Sequence, residues 1–221
     1  MSENKARRPR SQEVAPFYQL NITLLHVAPP IWRRLRVRGD ANLGFLHSAI
    51  QVSMGWTNSH LHLFTVGDKT YSDPTFELDE DAADEPTCDE GKTALRDVAP
   101  REKNQFIYEY DFGDCWEHLI TAEKICEPDA SFHGFAKCLD GARACPPEDC
   151  GGAWGYTDLL KIMKNPRHKE HKSMMEWLGG KFDPEAFDIE KANKYLQRLK
   201  WPRTTISQLA KVLMARDDYR G

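Results

Sequence analysis

Apolar and polar residues alternate from Tyr18 onward. Tyr18, Leu20, Ile22 and Leu24 are separated by Gln19, Asn21 and Thr23, the period of a half-buried strand. Pro29-Pro30 marks a turn. Residues 31–37 then read as a second strand, one face of which carries Trp32, Arg34, Arg36 and Arg38. The spacing changes at Leu43. Apolar residues at 43, 46, 49, 50 and 54 predict a helix, with Gly55 as its stop. Residues 60–66 predict a third strand, and Gly67-Asp68 a hairpin leading to 69–71. Residues 105–110 and 116–125 are two more strands, joined by a tight turn at Gly113-Asp114. Beyond Tyr156 the period is helical. Helices are predicted over 157–163 and 169–178, the second ended by Gly179-Gly180. Asp183-Pro184 opens another that runs to 199, and 206–214 forms a last weak one. The pattern predicts an α+β fold: a mostly antiparallel or mixed sheet with an N-terminal hairpin and a helical C-terminal part. Residues 1–15 read as a disordered basic tail, 16–200 as the α+β domain and 201–221 as a C-terminal helical tail.

Charge narrows the functional classes. A net charge of −4 excludes global attraction to nucleic acid, leaving only local basic patches. Two such patches are the Lys5–Arg10 tail and the strand with Arg33, Arg34, Arg36 and Arg38; an ordinary solvated face is the favoured reading of the strand. From Asp73 to Glu90 there are nine carboxylates and no Lys or Arg, the composition of a solvated loop. No apolar run approaches the roughly 18 residues of a membrane helix. The first ten residues carry no apolar core, so they do not read as a secretory signal. A cytoplasmic protein is expected.

The candidate chemistry is concentrated between Tyr108 and Tyr156, where five of the six cysteines lie between Cys115 and Cys150. In a reducing compartment, clustered thiols are metal ligands, redox groups or small buried residues rather than a disulfide framework. Cys138, Cys145 and Cys150 lie on glycine- and proline-bearing stretches, which suits a backbone wrapping an ion. With His118 as the fourth donor they would form a closed tetrahedral zinc site. His133 and Cys126 stand behind His118 as fourth donors. His60 and His62, two apart on a predicted strand, share a face, and His118 stands on another strand with Trp116. His60, His62, Asp111, Asp114, Trp116 and His118 are therefore expected to line one concave pocket. Against this, a His-x-His pair is common on half-exposed sheet faces. Asp111 and Asp114 also suit the turn itself, since aspartate side chains bond nearby backbone amides. The Asp111-Phe-Gly113 triplet lacks the glycine-rich and His-Arg-Asp loops of a protein kinase.

Four motifs occur in order: Pro29-Pro-Ile-Trp-Arg-Arg34, Trp56 with His60-Leu-His-Leu-Phe64, Tyr110-Asp-Phe-Gly-Asp-x-Trp-x-His118, and Ala144-Cys-Pro-Pro-Glu-Asp-Cys-Gly-Gly152 with Trp154-Gly-Tyr156. Over about residues 17–200 the chain resembles the plasmid pRiA4b ORF-3-like family. The resemblance implies an α+β domain with a mixed or antiparallel sheet. It also implies an association with mobile elements, since some members carry a resolvase-like label, although no serine-recombinase pattern accompanies the motifs. Two functional classes are expected: a binding or adaptor domain braced by a structural metal, or a metal-dependent hydrolase or nuclease using His60, His62 and His118 with Asp111 or Asp114.

Overall fold

A hairpin begins the sheet. β1 (Phe17–Leu24) and β2 (Trp32–Arg38) pair antiparallel from Phe17 opposite Arg38 to Thr23 opposite Trp32. The computed structural model describes residues 15–78, 86–129, 132, 134–180 and 182–200. Residues 1–14 of the tail expected over 1–15, the tail expected over 201–221, the centre of the acidic loop and His133 lie outside the described residues.

Six further strands extend the hairpin: β3 (His62–Val66), β4 (Lys69–Ser72), β5 (Cys88–Asp89), β6 (Gln105–Tyr110), β7 (Trp116–Cys126) and β8 (Ala136–Ala142). The order across the sheet is β5-β4-β3-β6-β7-β1-β2-β8. Every pairing is antiparallel except β4 with β5, so the sheet is mixed, as the alternation predicts. Its inner face carries Leu20, Ile22, Leu35, Val37, Phe64, Phe106, Tyr108 and Ile120, all buried.

α1 (Leu43–Met54) covers this face. Asn42 caps its first turn by accepting from Phe45 N at 2.8 Å, and Gly55 ends it at φ 118°, a left-handed conformation that suits glycine. All of its residues but Gly44 are buried. The apolar spacing alone would place half of them in water; α5 (Ile189–Leu196) and the turn at Glu90 close over the helix from outside. Each large apolar side chain so buried contributes about 1.5–3 kcal/mol.

Three differences from the sequence expectation matter for the site. Strand β8 is not legible as a strand, because Ala136, Cys138 and Gly141 give it little β-propensity; pairing with β2 and cover from α5 hold it instead. Asn193 of α5 clamps it, accepting from Cys138 N at 2.8 Å and donating to Cys138 O at 2.9 Å. Helix α3 (Gly152–Lys164) starts five residues before the expected 157, inside the glycine loop. The last described helix begins at Ile189 with Asp188 as its cap, because Asp183-Pro184 forms only a turn. Two short helices complete the set: α2 (Leu95–Val98), not anticipated, and α4 (His171–Trp177).

The arginine strand is divided by the pleat. Arg33 points inward and is 1% exposed. Its Nε donates to Ser53 O (2.8 Å), Nη1 to Trp32 O (2.8 Å) and Ala142 O (2.9 Å), and Nη2 to Arg143 O (2.8 Å). Ser53 lies at the C-terminal end of α1, where carbonyl dipoles favour a cation. One guanidinium thus ties β2, α1 and the end of β8 together. Arg34 pairs with Glu123 (2.7 and 2.9 Å), Arg36 with Asp129 (3.2 Å) and Arg38 with Asp40 (2.6 Å). Each guanidinium on this strand is already engaged within the chain. Among the described residues no helix is long and apolar enough to cross a membrane.

Candidate functional site

Two loops meet at one end of the sheet. The first joins β6 to β7. Asp111 (φ 60°) and Cys115 (φ 52°) turn its backbone through the left-handed region. Asp111 Oδ1 accepts from Gly113 N at 3.0 Å and Asp114 N at 3.3 Å, so the carboxylate stitches its own turn. The second loop, residues 143–151, leads into α3. Gly151 N donates to Asp114 Oδ2 at 3.2 Å. A Cβ at Gly152 would collide with the Asp114 carbonyl, and one at Gly155 with that of Cys150. Gly152 is where α3 seats on the turn, and Gly155 lets the first turn of the helix close on its own loop.

Glu148 anchors the second loop. Its carboxylate accepts from Thr57 N at 3.1 Å, from the Thr57 hydroxyl, and from the Tyr110 hydroxyl at 2.6 Å. Tyr110 Oη in turn accepts from Ser59 N at 2.9 Å, and Trp56 Nε1 donates to Pro146 O at 3.1 Å. Burial, followed by the hydrogen bond to Glu148, pushes the Tyr110 phenol far above its ordinary value. The sequence reading missed Glu148. The one signal for it was a carboxylate beside two prolines, a place where a side chain rather than backbone must satisfy neighbouring amides.

At the junction stand His60, Asp111 and Asp149. One ligand-type atom from each lies within 4.8 Å of the others. His60 Nε2 is 3.2 Å from Asp149 Oδ1 and 3.5 Å from Asp111 Oδ2. It is shielded from solvent and makes no hydrogen bond. Asp111 is buried, whereas the Asp149 side chain is 72% exposed. Asp149 also lines a cavity of about 300 Å³ with Leu159, Ile162, Met174 and Trp177.

His62 and His118 share the inner face with Tyr108, as their register requires, but they do not join His60. His62 Nε2 lies 2.8 Å from Glu90 Oε2, and its ring stacks on His47 with centroids 3.5 Å apart. His47 belongs to a closed ring of hydrogen bonds. Asn58 N donates to Gln51 Oε1 (3.0 Å), which turns Gln51 Nε2 toward Tyr108 Oη (3.0 Å). Tyr108 then donates to His47 Nδ1 (2.8 Å), leaving His47 Nε2–H for Asn58 Oδ1 (2.8 Å). Loss of solvent drives every member toward neutrality. It lowers His47 and His62 to about 3, lowers His118 to about 4 and raises Glu90 to about 7. His118 is wholly buried, with Nδ1 at 3.2 Å from Tyr108 O, and Trp116 packs beside Trp56 at 5.9 Å between centroids.

The expected single pocket therefore separates into two places. His60, Asp111 and Asp114 belong to the loop junction; His62, Trp116 and His118 belong to the core. The expected zinc set is also not gathered: among the described residues, Cys138, Cys145, Cys150 and His118 form no group with ligand atoms in mutual reach. The reason is β8. Cys138 is fixed in that strand opposite Leu35, beneath Asn193, and its thiol donates to Asp140 O at 3.3 Å. Burial pushes the Cys138 thiol up to about 11 and the Cys150 thiol up to about 12.

Comparison with known proteins gives this geometry a context. The chain is 37% identical over 193 residues to the uncharacterised protein y4hQ of Sinorhizobium fredii, covering 86% of this chain and 96% of that one. The fold is similar to the crystal structure of MM3350, a protein of unknown function from Methanosarcina mazei Go1. That match has a TM-score of 0.70 and 33% identity, and covers 79% of this chain and 96% of that one. The model of the plasmid pRiA4b ORF-3-like proteins matches residues 16–191, through both loops and the core histidines, and the chain belongs to that family.

Proposed function

We propose that this protein is a cytosolic ligand-binding domain whose site is a divalent cation held by His60, Asp111 and Asp149 at the junction of the two loops. The observation that supports this is the spacing around His60 Nε2. Its two carboxylate neighbours stand at 3.2 and 3.5 Å, yet neither makes a hydrogen bond to it. Ligand atoms placed tetrahedrally at about 2.1 Å from an ion are roughly 3.4 Å from one another. An imidazole lone pair and two carboxylates suit zinc or a harder divalent ion.

Three protein donors leave at least one position open for an exogenous ligand. That feature favours a second reading in which the same ion activates a bound water, as in a metal-dependent hydrolase or nuclease. A zinc ion on Cys138, Cys145, Cys150 and His118 would instead be closed and structural. Elemental analysis and calorimetric titration with Zn²⁺ and Mn²⁺ separate these sites. Asp149→Asn should abolish stoichiometric binding and Cys145→Ser should leave it intact. The opposite pattern would move the metal to the cysteines, and no binding by the wild type would remove the cation from the account.

A further inference from the structure

We infer that the cation site takes a small amphipathic oxyanion, with its carboxylate or phosphate head on the ion and its apolar body in the cavity between α3 and α4. This rests on the cation reading and names its ligand class. Asp149 is common to both parts: it is a donor to the cation and a wall of the cavity. The rest of that wall is mainly apolar, from Leu159 and Ile162 of α3 and Met174 and Trp177 of α4. At about 300 Å³, the space is at the small end of ligand pockets. Gly155 contributes to its floor, where a larger residue would meet the Cys150 carbonyl.

Trp177, which lines the cavity, is one of five large apolar residues exposed among the described ones; Leu61 follows His60, Phe112 follows Asp111 and Trp154 lies in the first turn of α3. Asp111 N donates to Leu61 O at 2.9 Å, which ties the chain beside His60 to the β6–β7 turn. An apolar cavity wall beside one polar centre is the pattern of a ligand site.

Coordination sets the head group. A divalent cation balances Asp111 and Asp149, and Asp158 at the cavity is paired with Lys161 at 2.8 Å, so no excess negative charge opposes an oxyanion. The open coordination position then takes an oxygen donor. Without the ion, the two carboxylates would favour an organic amine instead, so the two ligand classes are opposed and can be told apart.

The test uses the full-length protein with and without Mn²⁺ and five probes: hexyl phosphate, hexanoate, inorganic phosphate, acetate and hexylammonium. Each buried methylene is worth about fourfold in affinity. The proposal expects one of the six-carbon probes to bind at least about tenfold tighter than its short counterpart, and only with Mn²⁺ present; which head group wins names the ligand source. Trp177→Ala should bring the long probe down toward the short one, with Mn²⁺ affinity and circular dichroism reporting that the fold persists. If Mn²⁺ binds but chain length gains nothing, the ligand class is wrong and the cation reading stands. If hexylammonium binds without Mn²⁺ and more tightly than either anion, the ligand class is likewise overturned. If Mn²⁺ does not bind at all, the cation reading fails and this inference falls with it.

Discussion

His60 and His62 are two residues apart and have opposite fates. His62 enters β3, stacks on His47, faces Glu90 at 2.8 Å and is 2% exposed. His60 precedes the strand, stands between Asp111 and Asp149, and makes no hydrogen bond through Nε2. Both are imidazoles beside carboxylates. The difference is the setting. His47, Gln51, Asn58 and Tyr108 close a hydrogen-bonded ring inside the core, with His62 Nδ1 and His118 Nε2 buried beside it without hydrogen-bond partners, so these groups sit among packed side chains rather than at an open junction. At the loop junction His60 Nε2 stands 3.2 and 3.5 Å from two carboxylates without a hydrogen bond to either, the spacing on which the proposed cation rests. A histidine–acid pair therefore says little about function until the remaining partners are counted.

Acid should affect the core most. His47, His62 and His118 have folded values near 3 to 4, below their ordinary 6.5. As pH falls below about 6.5, the unfolded chain takes up these three protons first, so the stability they contribute is full above that pH and is lost toward pH 4. Glu90 works in the opposite direction. It keeps its proton to about 7 in the fold, whereas the unfolded chain releases it near 4.5, so between those values it offsets one of the three. About two protons remain, and stability should fall by roughly 3 kcal/mol per pH unit between about pH 6.5 and 4.5. Chemical denaturation across that window checks this; a flat profile would mean the histidines are hydrated.

Arg33→Met comes next. It leaves the carbonyls of Trp32, Ser53, Ala142 and Arg143 without their donor and should cost about 3 kcal/mol or more in urea unfolding. Tyr108→Phe breaks the ring at Gln51 and His47 and should cost about 2 kcal/mol. The junction should respond quite differently. Asp149→Asn and Trp154→Ala (87% exposed in the native chain) should each change metal-free stability by less than about 0.5 kcal/mol. For the wild type, Mn²⁺ at a hundredfold over its Kd should add about 2.7 kcal/mol that Asp149→Asn does not gain. A metal-free Asp149→Asn protein destabilised as strongly as Tyr108→Phe would erase the distinction between the two regions.

The sequence by itself determined the sheet's alternation, the N-terminal hairpin, the bounds of α1, the tight turn at Gly113 and the concentration of chemistry in the two loops. These are local or periodic properties, set by side chains at spacings of two and 3.6 residues and by glycine and aspartate at turns. Tertiary structure decided the partners. β8 has no strand signature and exists through β2 and Asn193, and this separates Cys138 from the other cysteines. Asp149 reaches His60 across 89 residues because Glu148 and Gly152 fix its loop on the β6–β7 turn. Glu90 reaches His62 from the far side of the acidic loop. Contacts of this range depend on how the whole sheet closes over α1, and no local spacing encodes them.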